Sequence, residues 1–395
     1  MKLKGIPASV VVFGFVSFLT DVSSDMIYPL LPVFLIQTLG AQQSFVGLIE
    51  GFAESTAALF TLFSGMLADR ARDRSRLVLF GYSLSSLSRP FVAAAQTPWM
   101  IFFIRFADRM GKGIRTSPRD ALIADSVEAG VRGKAYGLQR SMDHAGAVTG
   151  PLLASLLLAT VVKDLRTLFW LAAIPGCMAV LLVLWKVREV LPKDRDLSVA
   201  PKLKLRAPHG RLRVYLMILF LFILSCSSDA FLLLRARELG VPAMLLPILW
   251  MLFNLVKSGT TLPFGMLSDK LGRRRVILLG WVIYAAVYAG FAFATEATHV
   301  WVLFTFYGLF YGLTEGSERA LLADLAPAHE KGQAFGWYYL VVGLGALPAS
   351  LLFGWVWQKA GAPTAFMLSA MISTVASFLM LVFIFRYPSA ATRGQ

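Results

Sequence analysis

Residues 99–121 read WMIFFIRFADRMGKGIRTSPRDA. Six apolar residues open the stretch, and seven charged side chains follow: Arg105, Asp108, Arg109, Lys112, Arg115, Arg119 and Asp120. At about 100° per residue, all seven fall within an arc of about 140° on an α-helix, with Phe103, Met110, Ile114 and Ala121 opposite. One face is charged and the other is apolar. If such a helix crosses hydrocarbon, its charged stripe must face protein or water rather than lipid. The rest of the chain decides whether it does.

The chain has 395 residues, is 57% hydrophobic and has a mean hydropathy of +0.67. Soluble domains hold roughly 45–50% apolar residues, so this composition predicts an integral membrane protein. The first apolar run, ASVVVFGFVSFLTDVSSDMIYPLLPVFLIQ at 8–37, is too long for the core of a cleaved targeting peptide. Breaking the chain at Gly, Pro and charge clusters predicts twelve spans, at 8–36, 44–68, 77–96, 99–121, 135–160, 167–187, 213–235, 243–267, 276–295, 299–322, 334–358 and 363–386. The fold class expected is all-α integral membrane. Cys177 and Cys226 both fall in apolar runs, which predicts neither a disulfide nor a metal site.

A net charge of +15 could suggest nucleic acid. Its distribution excludes that class. Of the 38 Lys and Arg residues, 29 lie in loops, in tails or at the ends of spans, and 24 of those fall on one side of the alternating topology. The other side holds Lys163, Arg166, Arg235, Arg237 and Lys359. The excess is the mark of cytoplasmic loops, and it predicts a multi-pass protein of the cytoplasmic membrane with both termini inside. The polar stretch 188–212 then reads as a cytoplasmic linker between a six-helix bundle at 1–187 and another at 213–395.

The two halves repeat each other. GMLAD at 65–69 returns as GMLSD at 265–269, and SSD at 23–25 returns at 227–229. Asp125 followed by RGKAYG at 132–137 returns as Asp324 followed by KGQAFG at 331–336. Three matches in one order, about 200 residues apart, predict a duplicated six-helix unit related by an axis along the membrane normal.

These residues resemble the major facilitator superfamily over essentially the whole chain. GMLSDKLGRRR at 265–275 is similar to that family's loop motif between the second and third helices of each half. The N-terminal copy, GMLADRARDRSR at 65–76, departs from it, with Arg72 where the family has Gly and Asp73 where it has Arg. The resemblance implies a conformational latch made by Gly65, Asp69, Gly265, Asp269 and Arg273. GAVTGP at 146–151 looks like the motif of the twelve-helix drug–proton antiporters. On its residues alone, Gly146 and Gly150 share a helix face suited to tight packing, and Pro151 can kink the helix. Generic packing explains those three residues equally well. The resemblance also implies a monomer.

No phosphate-binding loop is present, so the expected energy source is a proton gradient, with no cofactor, no metal and no enzymatic activity. Buried carboxylates are the candidates for proton coupling. Asp21 and Asp25 lie one turn apart at mid-span, Glu54 is also near mid-span, and Asp143 stands beside His144. Two close carboxylates in low dielectric cannot both ionise cheaply, so one is expected to hold a proton. Arg109, Lys112, Arg115, Arg140 and Lys257 are candidates for binding substrate or exchanging ion partners. A charge-pair scaffold accounts for any one of these residues as well. The expected function is secondary active transport of a small organic solute by alternating access, as proton-coupled efflux. Proton-coupled import of an anionic metabolite, favoured by the cationic stripe, is the alternative.

Overall fold

The computed structural model describes residues 7–70, 73–127, 132–186, 208–326 and 331–387, without the side chains at 66, 68–70, 132–134 and 331–333. The predicted linker falls largely outside these residues. Among the described residues the regular structure is helical, with no strand.

Twelve long helices among the described residues stand where the sequence places spans. In the first half they are α1 (Ala8–Ile27), α2 (Gln43–Arg70), α3 (Arg74–Ser88), α4 (Pro98–Asp125), α5 (Arg132–Thr160) and α6 (Leu165–Lys186). In the second they are α7 (Gly210–Ser225), α8 (Leu246–Leu271), α9 (Arg273–Phe293), α10 (Ala297–Leu325), α11 (Lys331–Ala360) and α12 (Ala362–Arg386). Among the described residues, ten spans are long and apolar enough to cross a bilayer. The two outside that set are α4 and α10, with 28 and 29 residues, each of which carries several charged residues. They occupy corresponding places in the repeat. Phe103, opposite the charged stripe, is 63% exposed, whereas Arg105, Asp108, Arg115 and Arg119 are buried.

The chain forms two compact units. One comprises Met1–Gly40, Thr56–Leu203 and Ala243–Met251; the other comprises Ala41–Ser55, Lys204–Pro242 and Leu252–Gln395. In the first, α1 packs on α5 and α6, and α3 packs on α4. In the second, α7 packs on α11 and α12, and α9 packs on α10, the same pairings one repeat later.

Two segments leave their sequence half. The start of α2 belongs to the second unit because its glycines admit the α11 backbone: a Cβ on Gly47 would lie 2.2 Å from the Ser350 carbonyl oxygen, and one on Gly51 2.9 Å from Leu347 Cα. Ser55 Oγ donates to the Gly343 carbonyl at 2.5 Å. Residues 243–251 belong to the first unit, where Ser155 Oγ donates to the Met244 carbonyl at 2.6 Å.

The repeat diverges at its SSD tripeptide. Ser23 to Asp25 lie inside continuous α1. In the second half α7 stops at Ser225, and Ser228 caps a new helix, Asp229–Glu238, by accepting from the Ala230 N–H at 3.3 Å.

Candidate functional site

In the first unit, α1, α4 and α5 bring three of the four predicted coupling carboxylates together. Small residues cause this. A Cβ on Gly146 would lie 2.6 Å from the Phe18 carbonyl oxygen and 2.9 Å from Asp21 Cβ, and one on Gly150 2.6 Å from the Val22 carbonyl oxygen. Only glycine lets α5 lie this close to the turn that bears Asp21. The antiporter-like motif is therefore a packing surface for that turn.

Asp21 and Asp25 are half-buried. Asp21 lies in the field of Asp143, Asp25, Lys112 and Arg115. Asp25 lies in the field of Lys112, Arg89 and Arg109, with Trp250 beside it. Trp250 packs on Tyr28 with ring centres 5.0 Å apart, and the Arg105 guanidinium lies 5.5 Å from the Tyr28 ring centre. Asp143 is held by Gln139, whose Nε2 donates to its two oxygens at 2.8 and 2.7 Å and to Ser17 Oγ at 3.0 Å. Arg140 approaches Asp143 at 3.5 Å from a half-exposed position. Gln139, only 1% exposed, carries no charge and so gave no sign of this role in the sequence.

The charges of the stripe on α4 differ in their surroundings. Asp108 is fixed: it accepts from Ser85 Oγ at 2.6 Å and Arg89 Nε at 3.2 Å, with Arg105 at 3.6 Å. Arg89 also donates to the Thr20 carbonyl at 2.8 Å. Arg119 is paired with Asp120 at 2.8 Å. Lys112 is exposed. Arg115 is buried over the Tyr82 ring at 4.2 Å, and its Nε and Nη1 have no hydrogen-bond partner among the described residues.

Glu54 does not join Asp21. It travels with the start of α2 into the second unit, where Asp229 lies in the field of Lys257, Glu54 and Glu50. Tyr307 donates to Asp229 Oδ1 at 2.6 Å. Lys257 pairs with Glu315 at 3.4 Å and lies 4.6 Å from the Tyr311 ring centre. Glu50, 2% exposed, and the exposed Glu54 thus join the second unit with Asp229, Glu315 and Glu318. Arg319 pairs with Glu315 at 3.5 Å, while Glu318 turns away from that pair.

The latch residues separate in the same way. Arg273 reaches Asp269 at 3.6 Å, Asp324 at 2.5 Å and the Ala320 carbonyl at 2.6 Å. The Asp69 side chain lies outside the described residues. A Cβ on Gly65 would make ordinary contact with Ser117 at 3.4 Å, and one on Gly265 would meet nothing within 4 Å. Asp73, which stands in the family's Arg position, caps α3 instead, accepting from the Arg76 N–H at 3.3 Å and from Ser75 Oγ at 2.6 Å.

The chain matches the Major Facilitator Superfamily profile over residues 13–257 and 216–394. An uncharacterized MFS-type transporter of Methanocaldococcus jannaschii is 34% identical over 382 residues, covering 95% of this chain and 94% of the relative. The multidrug resistance protein MdtH of Cronobacter sakazakii is 27% identical over 348 residues, covering 84% and 82%. Among solved structures, a POT family transporter bound to a thioalcohol-conjugated peptide superposes with a TM-score of 0.80 at 12% identity, covering 97% of each chain.

Proposed function

We infer, from the major facilitator superfamily to which this chain belongs, that it exports a small organic solute across the cytoplasmic membrane in exchange for protons. The transporter fold and its alternating-access architecture come with the family. Proton coupling and export are the further reading. The observation that carries it is the grouping of Asp21, Asp25 and Asp143 in one unit, with Gly146 pressed against Asp21.

Asp21 and Asp25 share the cation Lys112, and Asp21 also faces Arg115, in a low-dielectric interior. Repulsion among ionised acids there far exceeds its value in water. A proton on Asp21 relieves that repulsion, and a bound solute that adds charge or draws Lys112 away alters it. Proton and solute then compete for one electrostatic balance, which is the requirement for exchange. Asp143 is oriented by Gln139 and Arg140, so its carboxylate keeps a fixed bearing on Asp21. Multidrug resistance proteins among the relatives agree with export. The cytoplasmic placement of both termini follows from the loop cations.

One observation favours the import of an anion. Arg115 keeps two unpartnered donors in a buried position, the arrangement that would hold a carboxylate or phosphate group.

The test uses proteoliposomes with a pH-sensitive dye inside and a panel of cationic, neutral and anionic solutes added outside. Export coupling predicts that a solute dissipates an imposed proton gradient, and that Asp21→Asn and Asp25→Asn abolish the response without loss of folded protein. Full proton-driven transport in both variants would overturn the assignment.

A further inference from the structure

The coupling scheme leaves one buried carboxylate on α10 unused. Glu318 is 8% exposed. From α9, the Trp281 indole donates to its Oε1 at 3.2 Å, and from α11 the Tyr338 hydroxyl donates to its Oε2 at 3.2 Å. From α7, Tyr215 lies in the field of Glu318 and Tyr338, its hydroxyl buried and without a hydrogen-bond partner among the described residues. On α10 itself the charged neighbours are Glu315 and Arg319, which are paired with each other at 3.5 Å. Lys257 of α8 is held by Glu315 at 3.4 Å. Among the described residues no cation forms an ion pair with Glu318.

The bond lengths point the same way. An ionised carboxylate usually draws hydroxyl donors to about 2.5–2.7 Å. Asp108 receives Ser85 at 2.6 Å and Asp229 receives Tyr307 at 2.6 Å. The hydroxyl bond from Tyr338 to Glu318, at 3.2 Å, is longer, as suits a neutral carboxyl. An ionised acid surrounded only by neutral donors would cost several kcal/mol. A protonated one can donate its own O–H to a phenol oxygen, and Tyr338 offers one at 3.2 Å.

The repeat sharpens the contrast. A shift of 199 residues carries Glu318, Trp281 and Tyr338 onto Arg119, Tyr82 and Gln139. In the first unit that place holds a cation neutralised by its neighbour, Asp120, at 2.8 Å. In the second the sign is inverted, and the neighbouring Arg319 is committed elsewhere.

We propose that Glu318 is a second proton-binding site of the transport cycle, holding its proton inside the aromatic box of Trp281, Tyr338 and Tyr215 and releasing it when water enters the box. The site rests on the proton coupling inferred above and adds a coupling proton in the second unit.

The test is a pH-difference infrared spectrum of the full-length protein in liposomes, read in the carbonyl stretch of protonated carboxyl groups. It needs no solute. The expected result is a component that disappears on alkalinisation, is absent in Glu318→Gln and remains in Asp21→Asn. Trp281→Phe keeps the carboxyl but removes one donor to it, so that component should move to higher frequency; this variant carries the test if Glu318→Gln does not fold. A Glu318→Gln spectrum superimposable on the unmodified protein overturns the proposal, as does a Trp281→Phe spectrum with every component unmoved. A component lost only in Asp21→Asn would remove the second site and leave the coupling in the first unit standing.

Discussion

Arg74 Nη1 stands 2.6 Å from Asp125 Oδ2, joining the start of α3 to the end of α4. A shift of 199 residues carries both onto Arg273 and Asp324, which pair at 2.5 Å. The same shift carries Gly81 and Arg115 onto Gly280 and Thr314, and the contact recurs: a Cβ on Gly81 would lie 2.7 Å from Arg115 Cβ, and one on Gly280 2.5 Å from Thr314 Cγ2. Duplication has preserved an ion pair and a close helix crossing while changing other residues around them.

The two ion pairs differ in burial. The Arg74 side chain is 7% exposed and that of Arg273 is 29% exposed. Asp125→Asn, which removes the charged partner 2.6 Å from a buried guanidinium, should cost about 3 kcal/mol. Asp324→Asn should cost about 1 kcal/mol or less. Thermal unfolding of the purified protein in detergent measures both, and equal costs would contradict the difference in burial.

Gly146→Ala forces a methyl group against the Phe18 carbonyl and Asp21 Cβ, so it should destabilise by roughly 1–3 kcal/mol and reduce transport. Gly265→Ala faces open space and should stay within about 0.5 kcal/mol. Parallel unfolding and uptake assays compare them. A tolerated Gly146→Ala would show that α1 and α5 need no such proximity.

Asp108 and Asp21 are both interior acids on cation-rich surroundings, yet their substitutions should separate. Asp108→Asn leaves Arg89 and Arg105 without their shared counter-charge and should cost about 3–5 kcal/mol of stability. Asp21→Asn should leave the unfolding temperature nearly unchanged and abolish proton-driven transport. Measuring melting and transport on the same samples distinguishes a scaffold acid from a coupling acid.

Glu54→Gln and Asp229→Asn act on one electrostatic group, so their effects on the logarithm of the transport rate should not add. A coupling of about 0.5 kcal/mol or more is expected from the double variant. Strict additivity would dissolve the grouping of Glu54 with Asp229.

Periodicity and repetition made much of this legible in the sequence. The apolar runs located every span, and the 140° arc on residues 105–120 identified the buried face of α4, because a membrane interior tolerates charge on only one side of such a helix. Partners were less legible. The arc says that Arg115 and Asp108 point inward, but not that Asp108 is bound to Arg89 and Ser85 while Arg115 lies on a tyrosine ring. Glu54 was assigned by its position in the chain, whereas Gly47 and Gly51 decide which unit it joins. The N-terminal loop copy is one residue longer than the C-terminal one, so Arg74, not Asp73, takes the place of Arg273. Register of this kind appears only when both copies are aligned through Asp125 and Asp324.

The exchange of two segments bears on how the chain could be divided. A gene cut within residues 188–207 would yield two polypeptides, each lacking a strip of the unit it mostly builds. The N-terminal fragment would expose Gly47 and Gly51 without the α11 backbone they are shaped to receive, and would lack residues 243–251. The C-terminal fragment would present Ser350 and Leu347 with nothing to cover them. Co-expressed, the pieces carry complementary edges and should reconstitute one another; expressed singly, each should be a substrate for the membrane's quality-control proteases.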